Sequence, residues 1–578
     1  MESQLNIVHK TETKRVLRRG STTDRLRIIP LGGMEEVGRN MTVFEYGEDI
    51  IILDMGIQFP EEDMPGIDYI IPSISYLKGK EKNIRAVIFS HGHLDHIGAA
   101  PLLLPKLGFP PIVGRDLTVA MIKKRMEDFE KNSAKRLDVI RINSVDDRFN
   151  FGKFRIGFFN VDHSILDAVG VIINTPQGTV IHPGDWTMEK NPISGRPLTY
   201  NHLSKLPRPK ILMLESLGAT DTSPKMISEK EMYANLEKLI GEAQGKVIIG
   251  TFASQIKRIG HLLEYAKKIG KKVALDGYSM KINVEIAREL GYIKAGKETI
   301  IPVSDVGRYP DEKIIIICTG AQGEGNAVLS RIVSDDHKFI KIKKNDTIVF
   351  SSSVIPGNER TIQRLKDNLY RKCDNVIHND IMDVHTSGHC NAQSIKEMLK
   401  QIKPDFFLPV YANHYFLKEA AKLTTENGFP KDKVFVLDNG SIIEFAGRTV
   451  KVLSKKVDTG YVFVDGLGVG DIGEVVLRDR QNLSQDGMFV IVVVVDRQSG
   501  KVKGSPDIIS RGFVYLRESK ELLRETRRRV IGIVDKAASP AQTINPDYIK
   551  EEIRNQIGDF LFNKTQRRPM VLPVVIEV

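Results

Sequence analysis

A chain of 578 residues is long enough for three or four domains, and its 41% hydrophobic and 27% charged residues are ordinary for a globular protein. The net charge of +11 favours a polyanionic partner, nucleic acid first, and the longest apolar run, at 488–495, is too short to span a bilayer. Three cysteines without a CxxC pair and an N-terminus without an apolar core predict a cytoplasmic protein with no disulfide framework.

The first 24 residues are polar and lack periodicity, which predicts a flexible basic arm that either contacts phosphates or has no role of its own. Apolar patterning then predicts strands at 26–31, 41–46 and 50–53, and Asp54 follows the third. A carboxylate at the end of a strand is placed to orient a metal ligand or a water.

A cluster of metal-ligating side chains follows the next predicted strand. Residues 90–98 read SHGHLDHIG, and a strand end is the usual position for a site in a layered α/β protein. On a tight loop, His91 and His93 would face one metal while Asp95 and His96 turn towards a second. The alternative is a chance cluster on a solvated turn, but 13 histidines in 578 residues rarely place three within six positions.

Polar residues end three of the later strands. Strands are predicted at 84–89, 154–159, 169–174, 179–182 and 210–214, and a helix is predicted at 117–129. His163, Asp185 and Glu215 lie at or just beyond the ends of three of these strands. Each alone is an ordinary polar strand end, but together with the loop at 90–98 they complete a ligand set for two metals.

This ordered set resembles the metallo-β-lactamase fold. The long insertion after Glu215 and the segment HTSGH at 385–389 resemble its β-CASP nuclease branch and, within that branch, ribonuclease J. The resemblance spans nearly all of residues 25–578. It rests on GRNM at 38–41, LDMG at 53–56, the loop at 90–98, HSILD at 163–167, GD at 184–185, TFAS at 251–254, QGE at 322–324, LSR at 329–331, DIG at 471–473, DG at 486–487, SRGFVY at 510–515 and RRP at 567–569.

Strand–helix alternation in the insertion predicts a small parallel sheet. Its strands are predicted at 246–250, 272–275, 313–318 and 347–350, with a helix at 256–269. The first domain is expected to resume with strands at 375–378 and 406–410 and a helix at 392–399.

A last α/β module is predicted from strands at 488–495 and 570–578 and helices at 518–536 and 548–562. A strand predicted at 474–477 excludes a dinucleotide site at the GxGxxG of 468–473.

The resemblance implies an α/β chain with a metallo-β-lactamase αββα sandwich, an inserted β-CASP α/β domain and a small C-terminal α/β domain. The expected boundaries are a basic arm at 1–24, the sandwich at 25–217 and 373–445, the insertion at 218–372, a linker at 446–460 and the C-terminal domain at 461–578.

The resemblance also implies the metal ligands. The first metal is expected on His91, His93, His163 and Asp185, and the second on Asp95, His96 and the bridging Asp185. Two zinc ions are expected, with manganese or magnesium as alternatives. Spacing in the sequence by itself supports only the cluster at 90–98.

Catalytic and substrate-binding groups follow from the same resemblance. His389 is expected to protonate the ribose 3′-oxygen while Glu215 holds its ring, and Asp185 is expected to take part as the bridge. The residues expected to cradle a substrate phosphate are His385, Ser387, Gly388, Ser352 and Ser353.

One position departs from the family. Where a final histidine ligand of the second metal is usual, residues 409–414 read PVYANH, so Tyr411 stands in the expected place and His414 lies three further on. Three readings stay open: His414 supplies the ligand, Tyr411 acts as a weak or supporting group, or the position is unfilled. Full occupancy of the second site depends on which holds.

The function implied is hydrolysis of RNA by 5′→3′ exonucleolytic and endonucleolytic cleavage, in RNA maturation and decay. The preferred substrate is expected to be 5′-monophosphorylated RNA, and the protein is expected to form a homodimer or homotetramer away from membranes. One alternative is a catalytically weak paralogue that binds RNA or assembles with an active nuclease. A small-molecule lactamase-like hydrolase is a second, against which the insertion, the basic charge and the segment around His389 all count.

Overall fold

A computed structural model of the protein describes residues 24–61, 63–193, 195–223, 227–296, 298–322, 327–354, 358–466, 468–470, 472–514, 519–537 and 545–578. Of the basic arm predicted at 1–24, only Asp24 belongs to these ranges. Gly323, Glu324, Asp471, Tyr515 and the predicted helix start at Glu518 also lie outside the described residues.

Two sheets pack face to face to form the sandwich. The first has, in spatial order, the strands Thr449–Val452, Ile443–Ala446, Leu26–Gly32, Met41–Tyr46, Asp49–Leu53, Ile84–Ile88, Ile112–Gly114 and Val139–Arg141. The second has Phe406–Val410, Lys210–Glu215, Gly178–His182, Val169–Thr175, Phe154–Asn160 and Phe149–Phe151. Side chains such as Ile28, Ile51, Val171 and Met213 form one apolar core between the sheets.

Helices cover the outer faces of this sandwich, which confirms the predicted fold class. They are Leu94–Ile97, Ala100–Lys106, Asp116–Phe129, Ala392–Ile402 and His414–Glu426. In Ala392–Ile402, the side chain of Asn391 accepts a hydrogen bond from the backbone of Ser394, which caps the first turn. Ile395, Met398 and Ile402 then repeat at helical spacing and face the second sheet.

The insertion contains a parallel sheet with helices on both sides. Its strands, in spatial order, are Ile300–Ile301, Lys272–Asp276, Ile314–Cys318, Val247–Gly250, Thr347–Phe350 and Asn375–Ile377. Its helices are Glu229–Glu242, Ile256–Lys268, Tyr278–Glu289, Val328–Val333 and Glu359–Tyr370. Asn375–Ile377 pairs with Thr347–Phe350 and so extends this sheet, whereas the sequence led us to expect it in the sandwich.

The chain divides into two units, Met1–Gln58 with Ile71–Tyr461, and Phe59–Ile70 with Val462–Val578. The second unit has the sheet Asp507–Arg511, Met488–Val495, Met570–Glu577 and the helices Glu474–Asp486, Lys520–Ala537 and Pro546–Thr565. A further small sheet consists of Gly468–Val469, Val462–Asp465 and Tyr69–Ile71. Short 3-10 turns occur at Ser75–Leu77, Glu81–Asn83, Ser133–Arg136, Asn201–Lys205, Val303–Arg308, Asp311–Lys313 and Lys431–Lys433.

Two local predictions differ from the structure. The stretch 446–460 was expected to be a linker, yet Thr449–Val452 forms a hairpin with Ile443–Ala446 at the edge of the first sheet. The strand expected at 474–477 is instead the start of the helix Glu474–Asp486, in which Val475 and Val476 are exposed.

Within the described part of the chain, none of the helices combines the length and the apolar character needed to cross a bilayer.

Candidate active site

The site lies where parallel strands of both sheets end. Asp54 follows Asp49–Leu53, and its backbone N–H donates to Ile88 at the end of the neighbouring strand, just before the loop at 90–98. In the second sheet, Asp185 follows Gly178–His182, Glu215 ends the next strand and Tyr411 follows the strand after that. Because parallel strands end at the same edge of a sheet, the fold brings together side chains that are far apart in sequence.

His91, His93, His163 and Asp185 form the first ligand group. Nδ1 of His93 lies 3.1 Å from Nε2 of His91 and 3.0 Å from Nε2 of His163. Both of those Nε2 atoms lie 3.8 Å from Oδ2 of Asp185. A tetrahedral ion with metal–nitrogen distances of about 2.0–2.1 Å would separate its ligands by roughly 3.3–3.4 Å. The four atoms are therefore spaced as ligands of one such ion.

Asp95, His96 and Asp185 form the second ligand group. Nε2 of His96 lies 3.4 Å from Oδ2 of Asp95 and 3.3 Å from Oδ1 of Asp185. Asp185 thus turns Oδ2 towards the first group and Oδ1 towards the second. One carboxylate with its two oxygens divided in this way can bridge two metals.

Hydrogen bonds hold the imidazoles in the tautomer that a metal needs. Ser90 donates its hydroxyl to Oδ2 of Asp54, so the Nδ1–H of His91 donates to the Ser90 oxygen, 3.0 Å away. Nδ1 of His163 donates to the carbonyl of Gly388 at 2.7 Å, and Nδ1 of His96 donates to Asp54 at 2.8 Å. The Nε2 atoms of His91 and His163 are left with their lone pairs facing the site, and Nε2 of His96 faces the second group.

Burial and charge set the protonation of these groups. Burial lowers the pKa of His93 to about 4 and the pKa of His163 to about 3, so both rings are neutral at neutral pH. Burial opposes ionisation of Asp185, but the charge and hydrogen bond of His96, together with the charges of His389 and His91, outweigh it and lower the pKa of Asp185 well below its usual value. The carboxylates around His96, in turn, outweigh its burial and raise its pKa well above the usual value. Groups that stabilise a protonated imidazole in this way also stabilise a metal cation.

The residues present fit a pair of metal ions. Neutral imidazoles and ionised carboxylates are the donors that divalent metals take. Buried polar atoms without a hydrogen-bond partner also gather at this place: Oδ1 of Asn40, Nε2 of His182 and the hydroxyl of Tyr411. Buried polar groups are normally satisfied, so three orphaned atoms around one pair of carboxylates point to a bound species.

His389 and Glu215 lie beside the first group. Nδ1 of His389 is 3.8 Å from Oε1 of Glu215, which is an ion-pair distance, and the His389 ring packs edge-on against His163. Burial lowers the pKa of His389, but Glu215 outweighs it, and the pKa is raised to about 9. The imidazole is therefore protonated at neutral pH, as a general acid must be.

The expected phosphate cradle joins two segments through an arginine that the sequence did not single out. Arg258 donates to Nδ1 of His385 at 2.9 Å and to the carbonyl of Ser351 at 2.7 Å. It therefore links the segments 385–388 and 351–353. The sequence held one indication of it, a charged side chain within the apolar stripe of the helix Ile256–Lys268. A charged side chain that is buried at such a position needs a partner.

The predicted cradle residues take different positions. Ser387 accepts a hydrogen bond from the backbone of His389, and a side chain at Gly388 would meet Ser164, so only glycine fits there. Ser352 is buried, whereas Ser353 is exposed. A cavity next to this cradle is lined by residues that include His163, Lys257, Arg258, Thr386 and Ser387.

The structure does not bring His414 into the second group. His414 begins the helix His414–Glu426, its side chain is 45% exposed, and Nδ1 lies 3.5 Å from Asp438. It forms a separate group with Glu35 and Asp438. Tyr411 is the residue that faces the site: it is 3% exposed, with a φ of 58°, and its ring lies 5.3 Å from that of His96.

Tyr411 keeps its proton in this position. Burial, and then the charges of Asp54, Asp185 and Asp95, raise the pKa of its hydroxyl well above the usual value. A neutral phenol is a poorer ligand than an imidazole, so Tyr411 offers the second group a weaker donor than a histidine would.

Comparison with known proteins identifies the domains of this chain. Three family models match: "Metallo-beta-lactamase superfamily" over residues 34–219, "Ribonuclease J, beta-CASP domain" over 244–369 and "Ribonuclease J C-terminal domain" over 475–578. Ribonuclease J2 of Bacillus subtilis is 36% identical over 559 residues, which cover 96% of this chain and 99% of that protein. Ribonuclease J 1 of Streptococcus pyogenes is 36% identical over 550 residues, which cover 95% and 97%.

A third relative and one solved structure complete the comparison. Ribonuclease J 2 of Staphylococcus aureus is 34% identical over 559 residues, which cover 96% of this chain and 98% of that protein. A crystal structure of a protein of unknown function from Enterococcus faecalis matches with a TM-score of 0.50 at 15% identity, over 73% of this chain and all of that one. At that identity the match concerns the fold alone.

Proposed function

This chain belongs to the ribonuclease J family and is a metal-dependent ribonuclease J-like nuclease, and we propose that it cleaves RNA by 5′→3′ exonucleolytic and by endonucleolytic hydrolysis. The observation that carries the proposal is the division of the Asp185 oxygens between two ligand groups, with His389 beside the first. The net charge of +11 suits a polyanionic substrate.

In the proposed mechanism His91, His93, His163 and Asp185 would hold one metal, and Asp95, His96 and Asp185 would hold the other. Metals bound there would make a hydroxide available at neutral pH and would neutralise charge on the phosphate. Imidazole nitrogens and carboxylate oxygens suit zinc at the first site, with manganese or magnesium as alternatives at the second.

The chain's own acid completes the reaction. His389 would give its proton to the departing ribose 3′-oxygen, and Glu215 would keep the ring protonated and oriented. The carbonyl of Gly388 holds His163 by a hydrogen bond, so the segment that carries the acid is tied to a ligand of the first group. Ligand and acid are thereby kept in one geometry.

The segment around Ser387 would receive the 5′ phosphate. The cavity beside it is lined by Lys257, Arg258 and Ser387 and also by the acidic residues Asp162, Glu189 and Glu229. We propose that it admits a monophosphate and excludes a bulkier triphosphate. RNA with a 5′ monophosphate should therefore be degraded exonucleolytically faster than the same RNA with a 5′ triphosphate. Time courses with 3′-labelled RNA measure both rates, and equal rates would contradict the pocket.

The same assay tests the function as a whole. Metal-dependent release of mononucleotides from the 5′ end, together with internal cuts, is the expected result. RNA binding without any cleavage at saturating zinc and manganese would favour a binding paralogue.

Action in the cytoplasm is part of the proposal, and the three cysteines, all buried and free, are in keeping with a reducing compartment. A homodimer or homotetramer is expected and can be measured by light scattering.

A further inference from the structure

The side chain of Asn40 lies among the ligand atoms of the second group. Its Nδ2 is 3.0 Å from Nε2 of His96 and 3.3 Å from Oδ2 of Asp95. In the first group, Nδ1 of His93 lies at similar distances, 3.1 and 3.0 Å, from Nε2 of His91 and of His163. The distances from Asn40 are therefore those between two atoms that could bind the same metal. Asn40 therefore occupies a ligand position in space.

The carboxamide also has an oxygen that no donor reaches. Oδ1 is buried without a hydrogen-bond partner, while the amino group points at His96. A half-turn of the amide exchanges its oxygen and nitrogen and leaves every other atom in place. With a cation at the second group, Nε2 of His96 gives its lone pair to the metal and cannot accept from Asn40. The amino hydrogens would then face a positive charge, whereas an oxygen there would be attracted to it.

We propose that the amide oxygen of Asn40 is a ligand of the second cation, beside Asp95, His96 and Asp185, an assignment that rests on the proposed metal-dependent function. It would give the second group a further oxygen donor, which His414, in its separate group with Glu35 and Asp438, does not supply. Asn40 is 2% exposed. Its backbone N–H donates to the carbonyl of Asp95 at 3.1 Å, and its carbonyl accepts from Gly56 at 3.0 Å. The ligand is thus held in register with Asp95 before any metal binds.

The assignment makes the two sites chemically different. The first takes three imidazole nitrogens and one oxygen, and the second takes three oxygens and one nitrogen. Zinc favours nitrogen donors, whereas manganese and magnesium favour carboxylate and amide oxygens. The second site is therefore expected to prefer manganese over zinc relative to the first.

Manganese titration of protein loaded with one zinc per chain tests the assignment without RNA. Free Mn²⁺ is read by electron paramagnetic resonance, and retained zinc by elemental analysis. Asn40→Ala should weaken Mn²⁺ binding by at least about 10–100-fold, the loss seen when groups that only orient metal ligands are removed. Asn40→Asp keeps an oxygen in place and should bind Mn²⁺ at least as well as the wild type. The exposed Asn413 gives a matched control, since Asn413→Ala should change neither metal.

Mn²⁺ binding by Asn40→Ala that equals or exceeds that of the wild type would overturn the assignment. Such a result would mean that Asn40 turns its amide N–H group towards the cation, since removing that group should then help binding. If Asn40→Ala also loses zinc, its fold is damaged, and Asn40→Asp becomes the deciding variant. Loss of Mn²⁺ binding by Asn40→Asp with zinc retained contradicts the proposal. A wild-type protein that binds Mn²⁺ in this way yet never cleaves RNA would instead refute the proposed function.

Discussion

The two ligand groups share Asp185 but are built in different ways. In the first, three imidazoles converge from two loops, and the Nδ1–H of His91 and of His163 is held by a neighbouring oxygen. In the second, one imidazole lies between two carboxylates, and the ring of Tyr411 lies beside that imidazole. The first group is rich in neutral nitrogen, and the second is rich in negative oxygen.

The difference teaches that one arrangement of strands can place two ligand groups of different donor chemistry side by side. Both groups draw on the loop at 90–98 and on Asp185, whereas His163 belongs only to the first and Tyr411 lies against His96 of the second. Each prediction below perturbs one group, both, or the acid beside them.

The largest effect is expected from the shared residue. Asp185→Asn removes the bridging charge from both groups, so hydrolysis should fall by more than the roughly 10²–10⁴-fold that a general acid contributes. RNA binding should survive, because affinity comes mostly from phosphate contacts elsewhere. Nuclease and filter-binding assays measure the two, with Asp128→Asn on the exposed face of the helix Asp116–Phe129 as control. Turnover like that of the wild type would exclude the bridge.

His389→Ala should slow cleavage by roughly 10²–10⁴-fold and leave both metals bound, which separates the acid from the ligand groups. The loss should shrink on a substrate with a better leaving group, since protonation then matters less. Elemental analysis and paired kinetics check this, and the exposed His202→Ala serves as control. An equal loss on both substrates would mean that His389 only positions the phosphate.

The acid should also shape the pH profile. Although burial lowers the pKa of His389, Glu215 raises it to about 9, so activity should hold at neutral pH and decline as the pH rises through that value. Glu215→Gln removes the raising charge, and the decline should then move to lower pH. Rates measured across the alkaline range at fixed metal concentration decide this. An unmoved alkaline limb would show that Glu215 does not tune the acid.

Asp54→Asn should weaken the second group more than the first, because Asp54 orients His96 directly and reaches His91 only through Ser90. A loss of about 10–100-fold in affinity for the second metal is expected, since Asp54 positions a ligand without binding the metal. Metal titration measures both affinities. A larger loss of zinc from the first group would reverse the assignment.

The smallest effects are expected around the unusual segment. His414→Ala should change neither metal content nor activity, because His414 lies with Glu35 and Asp438 outside the second group. Tyr411→Phe should change metal affinity little, since the phenol stays protonated. Elemental analysis after mild chelation checks both variants. Loss of the second metal in His414→Ala would return that residue to the site.

Most strands and helices were predictable because their apolar patterning is local. Ile50, Ile51 and Ile52 read as a buried strand, and Ile395, Met398 and Ile402 read as one face of a helix, wherever these segments sit in the chain. Pairing partners were harder to foresee. Asn375–Ile377 joins the insertion's sheet because pairing with Thr347–Phe350 decides where so short a strand lies. Glu474–Asp486 is a helix although Val475 and Val476 follow its first residue, since the polar residues after them continue the helix for 13 residues.

The sequence by itself determined the donor chemistry of the site. Three histidines and an aspartate within residues 91–96 have few roles other than metal binding, and this density is visible without any fold. Only the tertiary structure decided which atoms meet. The two oxygens of Asp185 divide between the groups, Arg258 joins His385 to Ser351, and Asn40, rather than His414, lies against His96. These contacts join residues tens to hundreds of positions apart, and separations of that size are set by how sheets pair rather than by local sequence.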